Sequence, residues 1–202
     1  LFAGMNQIEQ LHFGGGTPTY LSDEQMGDLM AHLRRWFQFA PDEVGEYSIE
    51  VDPRTVTRER VHSLRAQGFN RISLGVQDFD ENVQRAVNRV QPEATVAGVY
   101  EAARSIGFRS INFDLIYGLP LQTPSSFSFT LDRVIAMRPD RLAVYGYAHM
   151  PGVFKAQRRI RGDELPTAGE RLLLLQIAVG KLGEAGYEYI GMDHFAVPSD
   201  SL

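Results

Sequence analysis

The chain has 202 residues, 44% hydrophobic and 22% charged, the balance of a globular protein with room for a sizeable core. Its 20 basic and 25 acidic residues leave a net charge of −5, which argues against a general nucleic-acid surface. Cysteine is absent, which excludes disulfides, thiolate metal sites and a cysteine nucleophile within these residues. Leu172–Val179 is the longest apolar run and falls well short of the ~18 residues of a membrane span. Leu1-Phe2-Ala3-Gly4 lacks the basic start and long apolar run of a secretory leader, and a first residue other than methionine marks a chain that is not an untouched translation product.

Strand-like and helix-like segments alternate along the chain. Ile8–Phe13 predicts a strand. Ser22 with Gln25 forms a capping box that opens a helix, with Leu21 and Met26 as its hydrophobic staple and Leu29, Met30, Leu33, Trp36 and Phe37 as the buried stripe. Tyr47–Val51 predicts a strand, Thr57–Ala66 a helix, Arg71–Val76 a strand, Pro92–Ile106 a helix and Ser110–Tyr117 a strand. Thr123-Pro124 supplies an N-cap and a first-turn proline, with Phe127, Leu131, Val134 and Ile135 beneath. After the strand Arg141–Ala148, Thr167 with Glu170 opens a helix over Leu174, Leu175, Ala178 and Leu182, and Tyr187–Met192 closes the series as a strand. Gly68-Phe69, Gly107-Phe108 and Gly186-Tyr187 recur where a helix gives way to a strand, the glycine suited to a left-handed helix end and the aromatic to packing under it. Strands alternating with helices imply parallel neighbours joined by right-handed crossovers. The fold class read from this order is α/β: a partial (β/α) TIM-like barrel of parallel strands, one domain over residues 1–202, with an open doubly wound sheet as the alternative.

In either architecture ligands gather at the C-terminal ends of the strands. Those ends carry Gly14-Gly15-Gly16-Thr17, Glu50 with Asp52, Gln77 with Asp78, Asp114, Tyr147 to His149, and Asp193 with His194. Three consecutive glycines leave peptide groups uncovered, so a ligand can approach the backbone. The same run also suits a tight strand-to-helix turn or a phosphate cradle, although the Lys-Ser/Thr of a P-loop is missing. Each strand-end acid could equally cap the next helix, Arg89 could be a surface arginine, and His149 and the Asp193-His194 pair could be structural. His12, His32 and His62 do not converge with them, so no metal site is assigned. Lys155, Arg158, Arg159 and Arg161 form a basic cluster that reads either as a solvated face or as a receiver of substrate carboxylates.

The motifs Gly14-Gly15-Gly16-Thr17-Pro18-Thr19, Glu50-Val51-Asp52-Pro53, Gly75-Val76-Gln77-Asp78-Phe79, Asn88-Arg89, Asp114-Leu115-Ile116-Tyr117-Gly118-Leu119-Pro120 and Gly191-Met192-Asp193-His194-Phe195 recur in this order. The series resembles the oxygen-independent coproporphyrinogen III oxidase family (coproporphyrinogen dehydrogenases) of the radical S-adenosylmethionine superfamily, and the resemblance covers essentially the whole chain. It implies an oxidoreductase of haem biosynthesis that uses S-adenosylmethionine and a [4Fe–4S] cluster. A 5′-deoxyadenosyl radical would remove hydrogen from two propionates of coproporphyrinogen III, and loss of carbon dioxide and an electron would leave the vinyls of protoporphyrinogen IX. It further implies an electron donor for the cluster as partner, no nucleic-acid or membrane partner, and a cytoplasmic location. By the same resemblance, Gly15, Gly16 and Thr17 would meet the methionine moiety and Arg89 would pair with its carboxylate. Glu50, Gln77 and Asp114 would serve the ammonium and the ribose hydroxyls, and Ala148 would contact the adenine side.

One departure limits that reading. The family's cluster loop, Cys-x3-Cys-x2-Cys, follows a first strand expected upstream of Gly14-Gly15-Gly16, and neither the strand nor the cysteines are present; the family pattern also continues beyond Leu202. The chain therefore reads as an internal piece of the enzyme, inactive by itself. Two other readings remain: a radical-SAM-like haem chaperone or tetrapyrrole-binding protein, and an unrelated α/β-barrel phosphate enzyme.

Overall fold

The computed structural model describes residues 7–200; the reading of Leu1-Phe2-Ala3-Gly4 as lacking a leader concerns residues outside that range. In chain order the elements are β1 (Gln7–Ile8), β2 (Gln10–Phe13), α1 (Asp23–Trp36), β3 (Gln38–Phe39), β4 (Glu46–Val51), α2 (Arg58–Ala66), β5 (Arg71–Gln77), α3 (Glu81–Ala86), α4 (Glu93–Ser105), β6 (Ser110–Tyr117), α5 (Pro124–Met137), β7 (Arg141–Gly146), α6 (Ala168–Glu184), β8 (Glu188–Gly191) and β9 (His194–Ala196). The chain divides into two compact units, Leu1–Gly75 with Ala94–Ile111, and Val76–Glu93 with Asn112–Leu202. Among the described residues no helix is long and apolar enough to cross a membrane.

In the first unit β2, β4 and β5 run parallel, with His12 opposite Ser48 and Ile49 opposite Ile72. The single strand expected over Ile8–Phe13 is two, because its halves address different partners: β1 pairs with β3, whereas β2 pairs with β4. The Ile8 carbonyl accepts from Ala40 and the Glu9 carbonyl from Glu46. The α1 capping box forms as read, Ser22 Oγ accepting from Gln25 N at 3.1 Å and Gln25 Oε1 from Ser22 N at 2.9 Å. Met26 and Met30 are buried on its inner face, but Trp36 is 68% exposed and Phe37 lies at the exposed helix end, contrary to the expected stripe. At about 100° per residue Trp36 stands some 80° round the helix from Met26, outside the buried arc, and packs instead near His32 one turn back.

The repeated glycine–aromatic pairs behave as expected. Gly68, Gly107 and Gly186 have φ of +102°, +80° and +88°, and the following Phe69, Phe108 and Tyr187 donate their N–H groups to Leu64, Ala103 and Leu182, which satisfies helix-end carbonyls. All three rings are buried.

In the second unit β6 and β7 are parallel, from Asn112 opposite Arg141 to Tyr117 opposite Gly146. Thr123 caps α5 in a full capping box with Ser126, and Thr167 caps α6 with Glu170. Phe127, Leu131 and Val134 on α5 and Leu174, Ala178 and Leu182 on α6 are buried. The expectation of parallel neighbours throughout fails at the end of the chain. The last crossover delivers β8 in the direction of β7, but the chain then reverses and β9 fills the place beside β7, antiparallel to both. The reversal occurs at Met192 and Asp193, both with positive φ (+47° and +65°), the two-residue turn that matches strand twist. Neither is the glycine or asparagine that would mark it in a sequence.

Candidate functional site

In the first unit the strand end of β2 runs into Gly14-Gly15-Gly16-Thr17. Gly15 and Gly16 adopt φ of +73° and +61°, and a Cβ at either would meet nothing within 4 Å. Backbone conformation therefore demands glycine there, and the space in front of the loop is open. Gly15 N donates to Glu50 Oε2 at 2.9 Å. The other carboxylate oxygen of Glu50 lies 3.4 Å from His12 Nε2, and His12 Nδ1 meets Ser48 Oγ at 2.7 Å. The pair passes over Gly14, where a Cβ would come within 2.4 Å of His12 Nε2 and 2.8 Å of Glu50 Oε1. His12 thus belongs to this site, although nothing in the sequence linked it to Glu50; strand register made the connection. Thr17 is exposed and its hydroxyl makes no capping bond. A half-exposed carboxylate beside uncovered backbone suits a small ligand carrying an ammonium group. Asp52 is a cap: its carboxylate accepts from Arg54 N at 3.1 Å and holds the Arg54 guanidinium at 2.7 Å.

In the second unit Gln77 ends β5 at φ +68°. The next residue, Asp78, is 1% exposed. Its Oδ1 accepts from Thr130 Oγ1 at 2.8 Å and from Asp80 N at 2.7 Å, and its Oδ2 from Gln122 Nε2 at 2.6 Å. Burial pushes the Asp78 carboxyl above the usual range, while those three donors pull the other way. Gln122 Oε1 in turn accepts from Gly118 N at 2.6 Å, fixing the Gly118-Leu119-Pro120 turn. Gln84 donates to the carbonyls of Asp78 and Gln91 at 2.8 and 2.9 Å, and its own carbonyl accepts from Arg89 N at 2.8 Å. The backbones of Asp78, Arg89 and Gln91 are thereby tied through one buried glutamine. Sequence reading missed Gln84, Gln122 and Thr130, since an uncharged buried side chain has no local signature.

Asp114 is half-buried on β6 and accepts from Asn112 Nδ2 at 2.8 Å. Ala148 is exposed in the segment after β7, its carbonyl accepting from Gln157 Nε2 at 2.9 Å. The candidate residues thus fall into a first-unit set of Gly15, Gly16, Thr17 and Glu50 and a second-unit set of Gln77, Arg89, Asp114 and Ala148. His149 Nδ1 lies 3.3 Å from the hydroxyl of buried Tyr147. Lys155, Arg158 and Arg159 are exposed, Arg158 reaching the Pro151 carbonyl at 3.2 Å, and Arg161 is paired with Asp163 at 2.7 Å. No group of three or more histidine, aspartate or glutamate side chains able to hold a metal ion occurs among the described residues.

The sequence model of the Radical SAM superfamily matches residues 2–134. The chain belongs to that superfamily. It is 55% identical over 195 residues to an oxygen-independent coproporphyrinogen III oxidase of Pseudomonas aeruginosa and 54% identical over 202 residues to one of Escherichia coli. It spans 96% and 100% of itself in those matches but 42% and 44% of the two relatives. The solved coproporphyrinogen III oxidase (HemN) of Escherichia coli, a radical SAM enzyme, superposes with a TM-score of 0.92 at 53% identity, over 96% of this chain and 44% of that one. The Elp3 structure from Methanocaldococcus infernus, at 14% identity and a TM-score of 0.69, covers 86% of this chain and 45% of its own and shares the fold. With this membership the α/β class read from the sequence stands, a partial (β/α) barrel of mostly parallel strands. The radical SAM cofactor is S-adenosylmethionine, and the chain, having no cysteine, supplies no thiolate ligand to the [4Fe–4S] cluster that accompanies it.

Proposed function

We propose that residues 1–202 form one incomplete radical SAM catalytic domain of an oxygen-independent coproporphyrinogen III oxidase. The intact protein would oxidatively decarboxylate two propionates of coproporphyrinogen III to the vinyls of protoporphyrinogen IX in haem biosynthesis. The observation that carries this reading is likeness above half identity over nearly the whole chain to proteins bearing that name. When bound, the cluster and S-adenosylmethionine supply the radical that removes hydrogen from the propionate side chain.

This chain's residues bind and orient. Uncovered peptide groups at Gly15 and Gly16 and the Thr17 hydroxyl meet the methionine end. Glu50, steadied through one oxygen by Gly15 N, accepts from the ammonium. Arg89, on a backbone fixed by Gln84, presents a planar fork to the carboxylate. Gln77 and Asp114 take ribose hydroxyls, and the Ala148 backbone the adenine. An external electron donor and a cytoplasmic location belong to the same reading.

The test is turnover by the intact protein, loaded with iron and sulfide without oxygen and given a reductant, S-adenosylmethionine and coproporphyrinogen III. Protoporphyrinogen IX with 5′-deoxyadenosine is the expected product pair. Haem binding without porphyrinogen turnover would instead establish the chaperone reading. Arg89→Lys, which loses the paired fork, should weaken S-adenosylmethionine binding about 10- to 100-fold and leave the melting curve in place; unchanged affinity would remove Arg89 from the site.

A further inference from the structure

The hairpin between β8 and β9 does more than close the second unit's sheet. Its turn holds two non-glycine residues, Met192 and Asp193, in the left-handed region, strain of the sort retained where a side chain has to be aimed. The turn is stitched to β7 through Val144 N and the Asp193 carbonyl at 2.8 Å. The residue it aims is His194.

His194 Nδ1 lies 2.6 Å from the Met192 carbonyl oxygen. A carbonyl only accepts, so Nδ1 carries the hydrogen and the neutral ring presents Nε2 as an acceptor. Nε2 accepts a long hydrogen bond from the Tyr145 hydroxyl at 3.4 Å, one that a closer N–H donor would displace, and the two rings meet edge to face with centroids 5.8 Å apart. Both line a cleft of about 670 Å³, together with Arg141, Ile190, Gly191, Met192 and Asp193. Arg141 is paired with Asp200, which compensates its charge. What remains is an apolar wall of Tyr145, Ile190 and Met192, the last 89% exposed, with two acceptors, the exposed Asp193 carboxylate at the turn and His194 Nε2, of which the ring nitrogen is the one held in a fixed direction.

Strand register places this cleft beside a cofactor candidate. Ala143 lies opposite Asp114 on β6 and opposite His194 on β9. Directly opposed residues project to the same face, so Asp114 and His194 share one row, with their backbones two strand spacings, about 10 Å, apart. Between them stands only the methyl group of Ala143.

We infer that His194 Nε2 is a binding group for an N–H donor on a flat, largely apolar ligand, and, resting on the function proposed above, that the donor is a pyrrole N–H of the tetrapyrrole substrate. An acceptor nitrogen suits a pyrrole N–H and not a propionate carboxylate, which needs a donor. Tyr145 and the hairpin supply the apolar contact, and the shared row puts that pyrrole next to the group held at Asp114.

The experiment uses the intact, cluster-loaded protein, unreduced so that it does not turn over, and equilibrium dialysis against coproporphyrinogen III and, separately, S-adenosylmethionine. His194→Asn keeps a donor near the Met192 carbonyl but has no group at the Nε2 position; His194→Gln restores an acceptor there. The expected result is a fall of about three- to tenfold in coproporphyrinogen affinity for H194N, substantial recovery in H194Q, and S-adenosylmethionine affinity unchanged in both. Wild-type affinity in H194N overturns the inference. So does an equal loss of both ligands, which would make His194 a brace for the hairpin, or an equal fall in H194N and H194Q, which would exclude the acceptor role. If the unaltered protein binds S-adenosylmethionine but no coproporphyrinogen, the proposed function fails and not the geometry at His194.

Discussion

Asp78→Asn tests the balance of forces on a buried carboxyl. The carboxylate accepts three hydrogen bonds, and Gln122 cannot turn its amide to suit a new partner, because its oxygen is held by Gly118 N at 2.6 Å and its nitrogen also donates to the Ile116 carbonyl at 3.0 Å. In the variant the amide oxygen can replace Oδ1, which takes Thr130 and Asp80, so the new amide nitrogen falls where Oδ2 was and faces the Gln122 nitrogen. Two donors then oppose each other without an acceptor, at roughly 1–3 kcal/mol for each unsatisfied group. Removing a buried charge offsets part of this. The expected net loss at neutral pH is about 2 kcal/mol, a drop of roughly 4–8 °C in Tm for a chain of this size. The pH dependence has a definite sign. Burial raises the folded-state pKa above its unfolded value, so between those two values the native state holds more protons and wild-type stability falls as pH rises. The variant lacks this slope, so the gap between the two narrows as pH climbs through that window. Urea denaturation at several pH values reads both quantities. A companion Gln122→Glu change in the same chain supplies an acceptor for the new amide and should recover about half of the loss, since only the Ile116 bond stays broken. An Asp78→Asn chain as stable as the wild type at neutral pH would refute the reasoning, because the charge would then cost as much as its three donors return.

Gly14→Ala places a methyl group 2.4 Å from His12 Nε2 and 2.8 Å from Glu50 Oε1; displacing Glu50 breaks its bond to Gly15 N, and S-adenosylmethionine affinity should fall about tenfold, with less than ~1 kcal/mol lost in stability. Calorimetry showing unaltered affinity would sink that account. Tyr47→Phe removes a buried hydroxyl whose single hydrogen is shared between the carbonyls of Ala40 at 2.8 Å and Ile8 at 3.1 Å. It should cost about 1–2 kcal/mol in denaturant unfolding while leaving S-adenosylmethionine binding alone, and a stability change near zero would mean that water satisfies those carbonyls.

The candidate site was legible in proportion to how local its signals are. Gly15 and Gly16 announce uncovered backbone by composition, and Gln77 is readable as the end of β5, whereas Asp114, expected at a strand end, lies inside β6 because pairing with β7 continues to Tyr117. The partners that give them position were not legible. His12 reaches Glu50 through the pairing of β2 with β4, and Gln122 reaches Asp78 across 44 residues of sequence. Such contacts leave no trace in the spacing of residues along one chain. Asp52 shows the converse: its position at a strand end could mean a ligand or a cap, and only the Arg54 contacts decide for the cap.

By itself the sequence determined the alternation of strands and helices, the capping of α1, α5 and α6, and the glycine–aromatic turns, because each depends on dihedral preferences and hydrogen bonds within a few residues. Tertiary structure decided what depends on neighbours far along the chain: the split of the first strand between β3 and β4, the exposure of Trp36, and the insertion of β9 beside β7. In that insertion β9 takes the edge of β7 with Phe195 buried, and the chain reverses at the Met192-Asp193 turn. The insertion also sets His194 in the row of Asp114, a relation that no local propensity encodes.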